Sequence, residues 1–386
     1  MTDHPLDLLQ AAVRGAFCEE GRRVTPTRLP TWARRQFGGD AMLGSAVGHT
    51  SGVRLEYDTA ATWLELQLKF TRTWFSFVPF PPRPVVMALV VGDIEHFFTF
   101  DEGDIMHVDE SDNTRLEAGR TSTLRAQLGG DGAVRRVVVW LPHNCSVELF
   151  DIRADAVLSP SPRAGLRWIH YGSSISHCLE ADTPVGVWPT MAARARNLDL
   201  HNLGLAGNAL LDGFAARTIR DLAADLITIK VGINVVNFGA FRRRTFVSAV
   251  HGFLDTIREG HPDTQLVVIS QIFCPVHEDN PGPTEWSSTG QSMPTSLPRR
   301  PLDGQLTLSE IRQLLRSMVE ERSSDDPHLR YLNGLELFGP DDHGHLPDGL
   351  HPDAEGYALM GDRMTHIMQD WLPGAAHSLS GSPTAP

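Results

Sequence analysis

The residues best suited to chemistry lie in Trp168-Ile169-His170-Tyr171-Gly172-Ser173-Ser174-Ile175-Ser176. An apolar run ends at Gly172, and serines follow where a helix can begin. A serine in a sharp strand-to-helix turn is held out from the sheet, with the free N–H groups of the helix start around it. That is where a nucleophile would sit. Far downstream the chain reads Asp348-Gly349-Leu350-His351-Pro352, with a carboxylate and an imidazole three residues apart. This spacing lets Asp348 orient His351. The two segments together supply the nucleophile, base and orienter of serine acyl-transfer chemistry. Taken alone, Ser174 reads first as a helix cap and Asp348-x-x-His351 as a polar turn. Their meeting at one place in a fold is what turns both into chemistry.

The elements around them supply that place. From Arg167 onward, strands expected at 166–171, 199–203, 226–231, 265–272 and 329–333 alternate with helical patterns near 185–197, 213–224, 243–259, 307–322 and 355–371. The βα alternation predicts a parallel sheet covered on both faces, with ligands at the carboxyl ends of its strands. Ser174 follows the first strand, Gly207 the second and Asn234 the third. Asp348 and His351 follow the fifth. All fall at one rim. Residues from about 40 to 158 have another texture. Short β-branched and aromatic runs, such as Val85–Val91 and Val137–Leu141, are broken by turns and read as an antiparallel sandwich. A short helix is expected over Leu6–Phe17. The expected domains are 1–160 for the sandwich and 165–375 for the catalytic unit, joined through Pro160 and Pro162, with a disordered tail at 376–386. Cys274–Gly304, rich in Pro, Ser and Gly, has no clear period. It follows the fourth strand and is expected either to cover the rim as a lid or substrate-binding loop or to be disordered.

The second half resembles the SGNH (GDSL-type) hydrolases. Gly172-Ser173-Ser174-Ile175 matches their first block, with Ser174 as nucleophile and Ser173 where the family usually has Asp. Asn202-Leu203-Gly204-Leu205-Ala206-Gly207-Asn208 resembles the second block, with Gly207 the better match for its oxyanion glycine. Gly232-Ile233-Asn234 matches Gly-x-Asn, and Val235 stands where many members have Asp. Asp348 and His351 match the fifth block. The resemblance covers about residues 165–372. It implies a flavodoxin-like three-layer α/β/α domain with a five-stranded parallel sheet. It also implies an oxyanion hole built from the N–H groups of Ser174 and Gly207 and the amide of Asn234. A sandwich ahead of such a domain resembles the layout of some carbohydrate esterases and of GDSL-type acyltransferases of natural-product biosynthesis.

Composition narrows the partners. The chain has 386 residues, 41% hydrophobic and 21% charged, which is ordinary for a globular protein. A net charge of −13 argues against nucleic acid or an anionic membrane surface. Nearly all the cationic residues are arginine; only Lys69 and Lys230 are lysine. Cys18, Cys145, Cys178 and Cys274 are scattered and read as reduced thiols. Met1–Glu20 has no apolar signal region, and no apolar run is long enough to span a bilayer, so a cytoplasmic location is expected. His343 and His345 with Asp341 and Asp342 read as a solvated loop, and no metal site is expected. His170 reads as a strand residue. His177 and Trp286 are the candidate substrate contacts. There is no Gly-x-Ser-x-Gly, P-loop or HExxH.

The expected function is serine-dependent acyl transfer through an acyl-Ser174 intermediate. Between transfer and hydrolysis the catalytic residues are silent, because both use the acyl-enzyme. The resemblance to acyltransferases of natural-product biosynthesis, together with the long loop, implies an O-acyltransferase with no bound cofactor. Acyl-CoA would serve as co-substrate, and the acceptor would be a natural-product hydroxyl, such as that of a tetracycline-type polyketide. The alternatives are an esterase or carbohydrate deacetylase for small acyl esters, and a non-catalytic glycan-binding protein.

Overall fold

The computed structural model describes residues 5–19, 21–76, 81–297 and 304–372. The expected tail at 376–386 and residues 298–303 of the Cys274–Gly304 loop lie outside these. The five strands of the second half are Leu166–Gly172, Leu198–Gly204, Leu226–Lys230, Gln265–Ile269 and Leu329–Leu332. They are all parallel, in the spatial order second, first, third, fourth, fifth. Their cores are near-continuous apolar runs because helices cover both faces. Helices Trp188–Ala195, Gly213–Asp221, Arg243–Gly260, Leu308–Arg322 and Ala354–Ile367 supply that cover. Each lies within the expected helical pattern or within a residue or two of its ends, where frayed turns blur any boundary. The strand order reverses between the first and third strands, and the crevice there receives Ser174.

The first half is built from two sheets whose inner faces share one core. Leu66, Leu68 and Phe70 of the long strand Trp63–Phe75 pack against Met87, Leu89, Val137 and Val139 of the facing sheet. The long strand alternates buried and partly exposed residues, as a half-buried strand must. The pairing is antiparallel, as expected, with one exception. Thr71–Phe75 runs parallel to Asp104–Val108. A strand of 13 residues outruns its antiparallel partner Ser122–Gln127, and the spare end accepts a strand arriving from the other direction. The helix expected over Leu6–Phe17 is shorter, Pro5–Ala12. Gly15 takes φ 77°, so the chain turns there, and Val13–Arg14 instead pairs with Arg54–Leu55. A further helix, Ala41–Gly48, interrupts the β-rich region and is capped by the Asp40 carboxylate on Leu43 N–H at 2.8 Å.

The two halves are joined through buried polar contacts as well as apolar ones. Arg54 donates to Asp199 at 2.8 Å and to Glu56 at 2.6 Å. Fully buried Arg28 donates to the carbonyls of Asn202 at 3.1 Å and Gly204 at 2.6 Å, reaching from the first half to the second catalytic strand. Asn202 in turn donates to Ser51 at 3.1 Å, and Ser51 to the carbonyl of His177 at 2.9 Å. This network lies directly behind the short helix Ser174–His177. Among the described residues, no helix is long and apolar enough to cross a membrane.

Gly204 closes the contact between that helix and the second strand. A Cβ on it would lie 2.4 Å from His177 N and 2.5 Å from Ser176 C, both backbone atoms that cannot rotate away. Gly204→Ala should therefore lift the nucleophile helix off the sheet and cost about 1–3 kcal/mol of stability. A thermal melt should record a lower midpoint, and a serine-reactive probe should label the variant more slowly. An unchanged midpoint with unchanged labelling would contradict this account of the contact.

Candidate active site

The turn that carries Ser174, the expected nucleophile, is set by two glycines and a cap. Gly172 ends the first strand, and a Cβ there would meet Ser176 Oγ at 2.2 Å, so no side chain fits. Ser173 is the N-cap of helix Ser174–His177, and its Oγ accepts the Ile175 N–H at 3.3 Å. The capping role thus belongs to Ser173 and leaves Ser174 free to face the rim. Beneath the helix runs a buried chain: Ser176 Oγ to His170 Nε2 at 2.8 Å, His170 Nδ1 to Thr228 Oγ1 at 2.6 Å, and Trp168 Nε1 to the same Thr228 at 2.9 Å. Burial pushes His170 down to about 3, and nearby Lys230 adds to this, so the ring stays neutral. His170 is a strand residue, as expected. Ser176 was not singled out from sequence, and its small polar side chain next to the nucleophile is the only signal it carries there.

The structure brings the three expected groups together. Ser174 Oγ lies 2.9 Å from His351 Nε2, and His351 Nδ1 lies 2.7 Å from Asp348 Oδ2. With hydrogen on Nδ1, the ring donates to Asp348 and leaves Nε2 to accept the serine hydroxyl. The other carboxylate oxygen of Asp348 accepts the N–H groups of Leu350 at 2.8 Å and His351 at 2.7 Å, which fixes the loop. Burial alone would raise Asp348, but its hydrogen bonds from His351 and the attraction of that ring hold it below its ordinary value. His351 moves the other way. Burial opposes its charge, yet the nearby Glu180 carboxylate and the bond to Asp348 outweigh that and push it up to about 9.

The expected oxyanion donors stand on the neighbouring strand ends. Asn234 opens the short helix Ile233–Asn237, and its Oδ1 accepts the Ala209 N–H at 3.0 Å. That bond commits the oxygen and orients the amide NH2 the other way. Gly232 must be glycine: φ is 135°, and a Cβ would lie 2.3 Å from Gln271 Oε1. Gly207 takes φ 73° in the loop after the second strand, with Met42 Sδ and Phe238 beside it. The choice between the two glycines of this block is physical. Gly204 serves helix packing, whereas Gly207 lies in the open loop. Met42 comes from helix Ala41–Gly48, so the first half does reach this rim.

Two expected substrate contacts fare differently. His177 does not face the rim, which corrects its expected pocket role. It is completely buried, with Nε2 2.9 Å from the His143 carbonyl and Nδ1 3.4 Å from Arg28. Three positions along a short helix separate Ser174, aimed at the rim, from His177, aimed at the first half. Trp286 is half-exposed on a small hairpin, Glu285–Trp286 with Ser292–Met293, within the Cys274–Gly304 loop. The hairpin bridges the site. Thr284 N–H donates to the Asn237 carbonyl at 2.9 Å, and Ser292 N–H to the Asp348 carbonyl at 2.8 Å. The acidic turn at Pro340–His345 serves structure, since Asp342 pairs with Arg363 of the last helix.

The comparisons with known proteins bear on the family and the fold. Residues 170–359 match the sequence model of the GDSL-like Lipase/Acylhydrolase family. Among solved structures, the chain is similar to a salicylyl-acyltransferase, SsfX3, from a tetracycline biosynthetic pathway. The identity is 25% and the TM-score 0.75, over 93% of this chain and 94% of that one. It is also similar to a putative GDSL-like lipase from Bacteroides ovatus, at 17% identity and TM-score 0.66, over 94% of this chain and 96% of that one. A family two carbohydrate esterase from Clostridium thermocellum aligns at 15% identity and TM-score 0.57, over 84% of this chain and 94% of that one. Comparison with curated protein sequences found no match.

A base must be neutral to accept a proton. With His351 raised to about 9, the neutral fraction grows only as pH climbs well past the usual histidine value of about 6.5. The rate of the first chemical step, kcat/KM on an aryl ester, should rise through pH 7 and 8 and level off only in the alkaline range. A profile already flat between pH 6 and 8 would show that His351 is not held in its charged form.

Proposed function

Because residues 170–359 make this chain a member of the GDSL-like lipase/acylhydrolase family, we propose that it is a serine-dependent acyl-transfer enzyme working through an acyl-Ser174 intermediate. The observation that carries this reading is the unbroken chain Ser174–His351–Asp348 at the carboxyl edge of the sheet. Ser174 Oγ attacks the donor carbonyl carbon while His351 Nε2 takes its proton. Asp348 holds the ring and stabilises the imidazolium. The oxygen that becomes negative is met by the N–H groups of Ser174 and Gly207 and by the amide of Asn234. Each such donor is typically worth about 3–4 kcal/mol of barrier. The tetrahedral adduct collapses, and His351 returns the proton to the leaving thiolate or alkoxide. A hydroxyl then enters, gives its proton to His351 and attacks the acyl carbon, and Ser174 leaves with the proton restored.

The acceptor hydroxyl distinguishes the finer readings. We favour an O-acyltransferase that takes acyl groups from acyl-CoA to a natural-product hydroxyl, of a tetracycline-type polyketide or a similar polycycle. The likeness to the salicylyl-acyltransferase supports it, since it extends over both halves of the chain. So does the apolar rim, where Phe238, Trp286 and Met293 are all exposed. Such a surface suits a ring system and disfavours water as competitor. Hydrolysis of small acyl esters uses the same catalytic groups and would be the side reaction.

Two experiments test these levels. A fluorophosphonate probe should label the wild type and Ser173→Ala, and should fail on Ser174→Ala. His351→Ala and Asp348→Asn should each lower kcat by about 10²–10⁴-fold, with a smaller change in KM. Labelling lost in Ser173→Ala but kept in Ser174→Ala would move the nucleophile by one residue. For the acceptor, Trp286→Ala should reduce transfer from an acyl-CoA to a polyketide alcohol by several-fold more than it reduces p-nitrophenyl ester hydrolysis. Equal losses would remove Trp286 from the acceptor platform.

A further inference from the structure

Asp348 accounts for one carboxylate at His351 Nδ1, and the structure holds a second. The loop leaving the nucleophile helix turns at Cys178, whose φ of 60° is left-handed. It brings Glu180 Oε1 to 4.0 Å from His351 Nδ1. Asp348 is nearer, at 2.7 Å, so Glu180 is not the ring's hydrogen-bond acceptor. It is fixed by other groups. Its Oε2 accepts the Tyr357 O–H at 2.8 Å, and its backbone carbonyl accepts from Arg83 Nη1 at 2.9 Å. Tyr357 is fully buried in the last helix, Ala354–Ile367. Three elements therefore meet at one imidazole edge: its own loop, the loop after the nucleophile helix and the last helix.

We propose that Glu180 is a positioning residue for the general base: a second fixed carboxylate that favours protonated His351 and so sets the pH range in which the site works. The proposal rests on the acyl-transfer reading above. A charge held 4.0 Å from the ring without bonding to it acts through its field, which at that distance in a partly buried site still favours the protonated ring. Tyr357 fits the part of anchor, because its own ionisation is strongly opposed by burial and then by Glu180 and Cys178, so it remains a neutral donor. The Cys178 thiol, raised by burial, also stays neutral. Lys230, lowered to about 7 by burial, faces Cys178. Arg83 meets only the backbone of Glu180. Among these groups the charges set against His351 are thus the two carboxylates. The arrangement stabilises the imidazolium formed when Ser174 gives up its proton. Its cost is a small population of neutral base in the resting protein near neutral pH.

The test needs no natural substrate. The rate at which a fluorophosphonate labels the full chain depends on neutral His351, so its dependence on pH reads the base in the free protein. The wild-type limb should lie well above about 6.5. Glu180→Gln, which keeps shape and removes charge, should move the limb down by about one pH unit or more. Glu180→Asp, which keeps the charge but draws it back, should fall between. A limb unmoved in the folded Gln variant overturns the proposal. Should that variant not fold, Glu180→Ala is read the same way, and a wild-type limb near 6.5 overturns the proposal without any variant. Ser174→Ala is the separate control. If it still labels, the acyl-serine reading itself fails; if it does not and the limb stays fixed, only the role of Glu180 fails.

Discussion

The hydrogen bond from Ser174 Oγ to His351 Nε2 joins groups 177 residues apart. A contact of that sequence distance exists only if two loops from opposite ends of the domain are delivered to the same point. The parallel sheet makes the delivery, since every strand exits at the same edge. The fine placement comes from close backbone approaches. Gly172 and Gly204 let the nucleophile helix sit directly on the strands, within distances that any Cβ would forbid. Asp348 takes two backbone N–H groups on one oxygen, and the hairpin at Ser292 holds its carbonyl. Loss of any one support shifts the reacting atoms by fractions of an ångström, which is enough to matter for a proton transfer.

The electrostatics sort the histidines around this site into two kinds. Burial drives His170 and His49 to about 3 and His143 and His201 to about 4, and holds His177 well below its ordinary value. Each of these rings is neutral and serves as a hydrogen-bonding or packing piece. His351 is only partly buried, and it is pushed up to about 9, because two carboxylates face it. The same residue type is thus held neutral in one pocket and favoured in its charged form in the next, and the difference lies in the company each ring keeps.

That difference explains which parts of the site were legible in the sequence. Ser174, Asp348 and His351 were legible because short local spacings fixed them at strand ends. The five parallel strands were legible from their apolar runs. Glu180 carried no such mark. It lies six residues past Ser174, and its partner Tyr357 is six residues past His351, so neither belongs to the spacing that defines the motifs. His177 misled for the opposite reason. It is close to the nucleophile in sequence, but a turn of helix aims it at the first half, and only the placement of Arg28 and His143 reveals that. The helix Ala41–Gly48 was hidden within a β-rich region, although the Asp40 cap was a readable signal.

The first half contributes more than a platform. Arg28, Ser51 and His143 hold the back of the nucleophile helix, and Met42 stands beside Gly207 at the front. One unit therefore touches both the scaffold of the nucleophile and the wall next to an expected oxyanion donor. A separable binding module would need only a thin, polar contact with its catalytic neighbour. Here fully buried side chains cross the boundary, so the first half is tied to the helix that carries Ser174 through direct contacts. These contacts make the two halves one structural body.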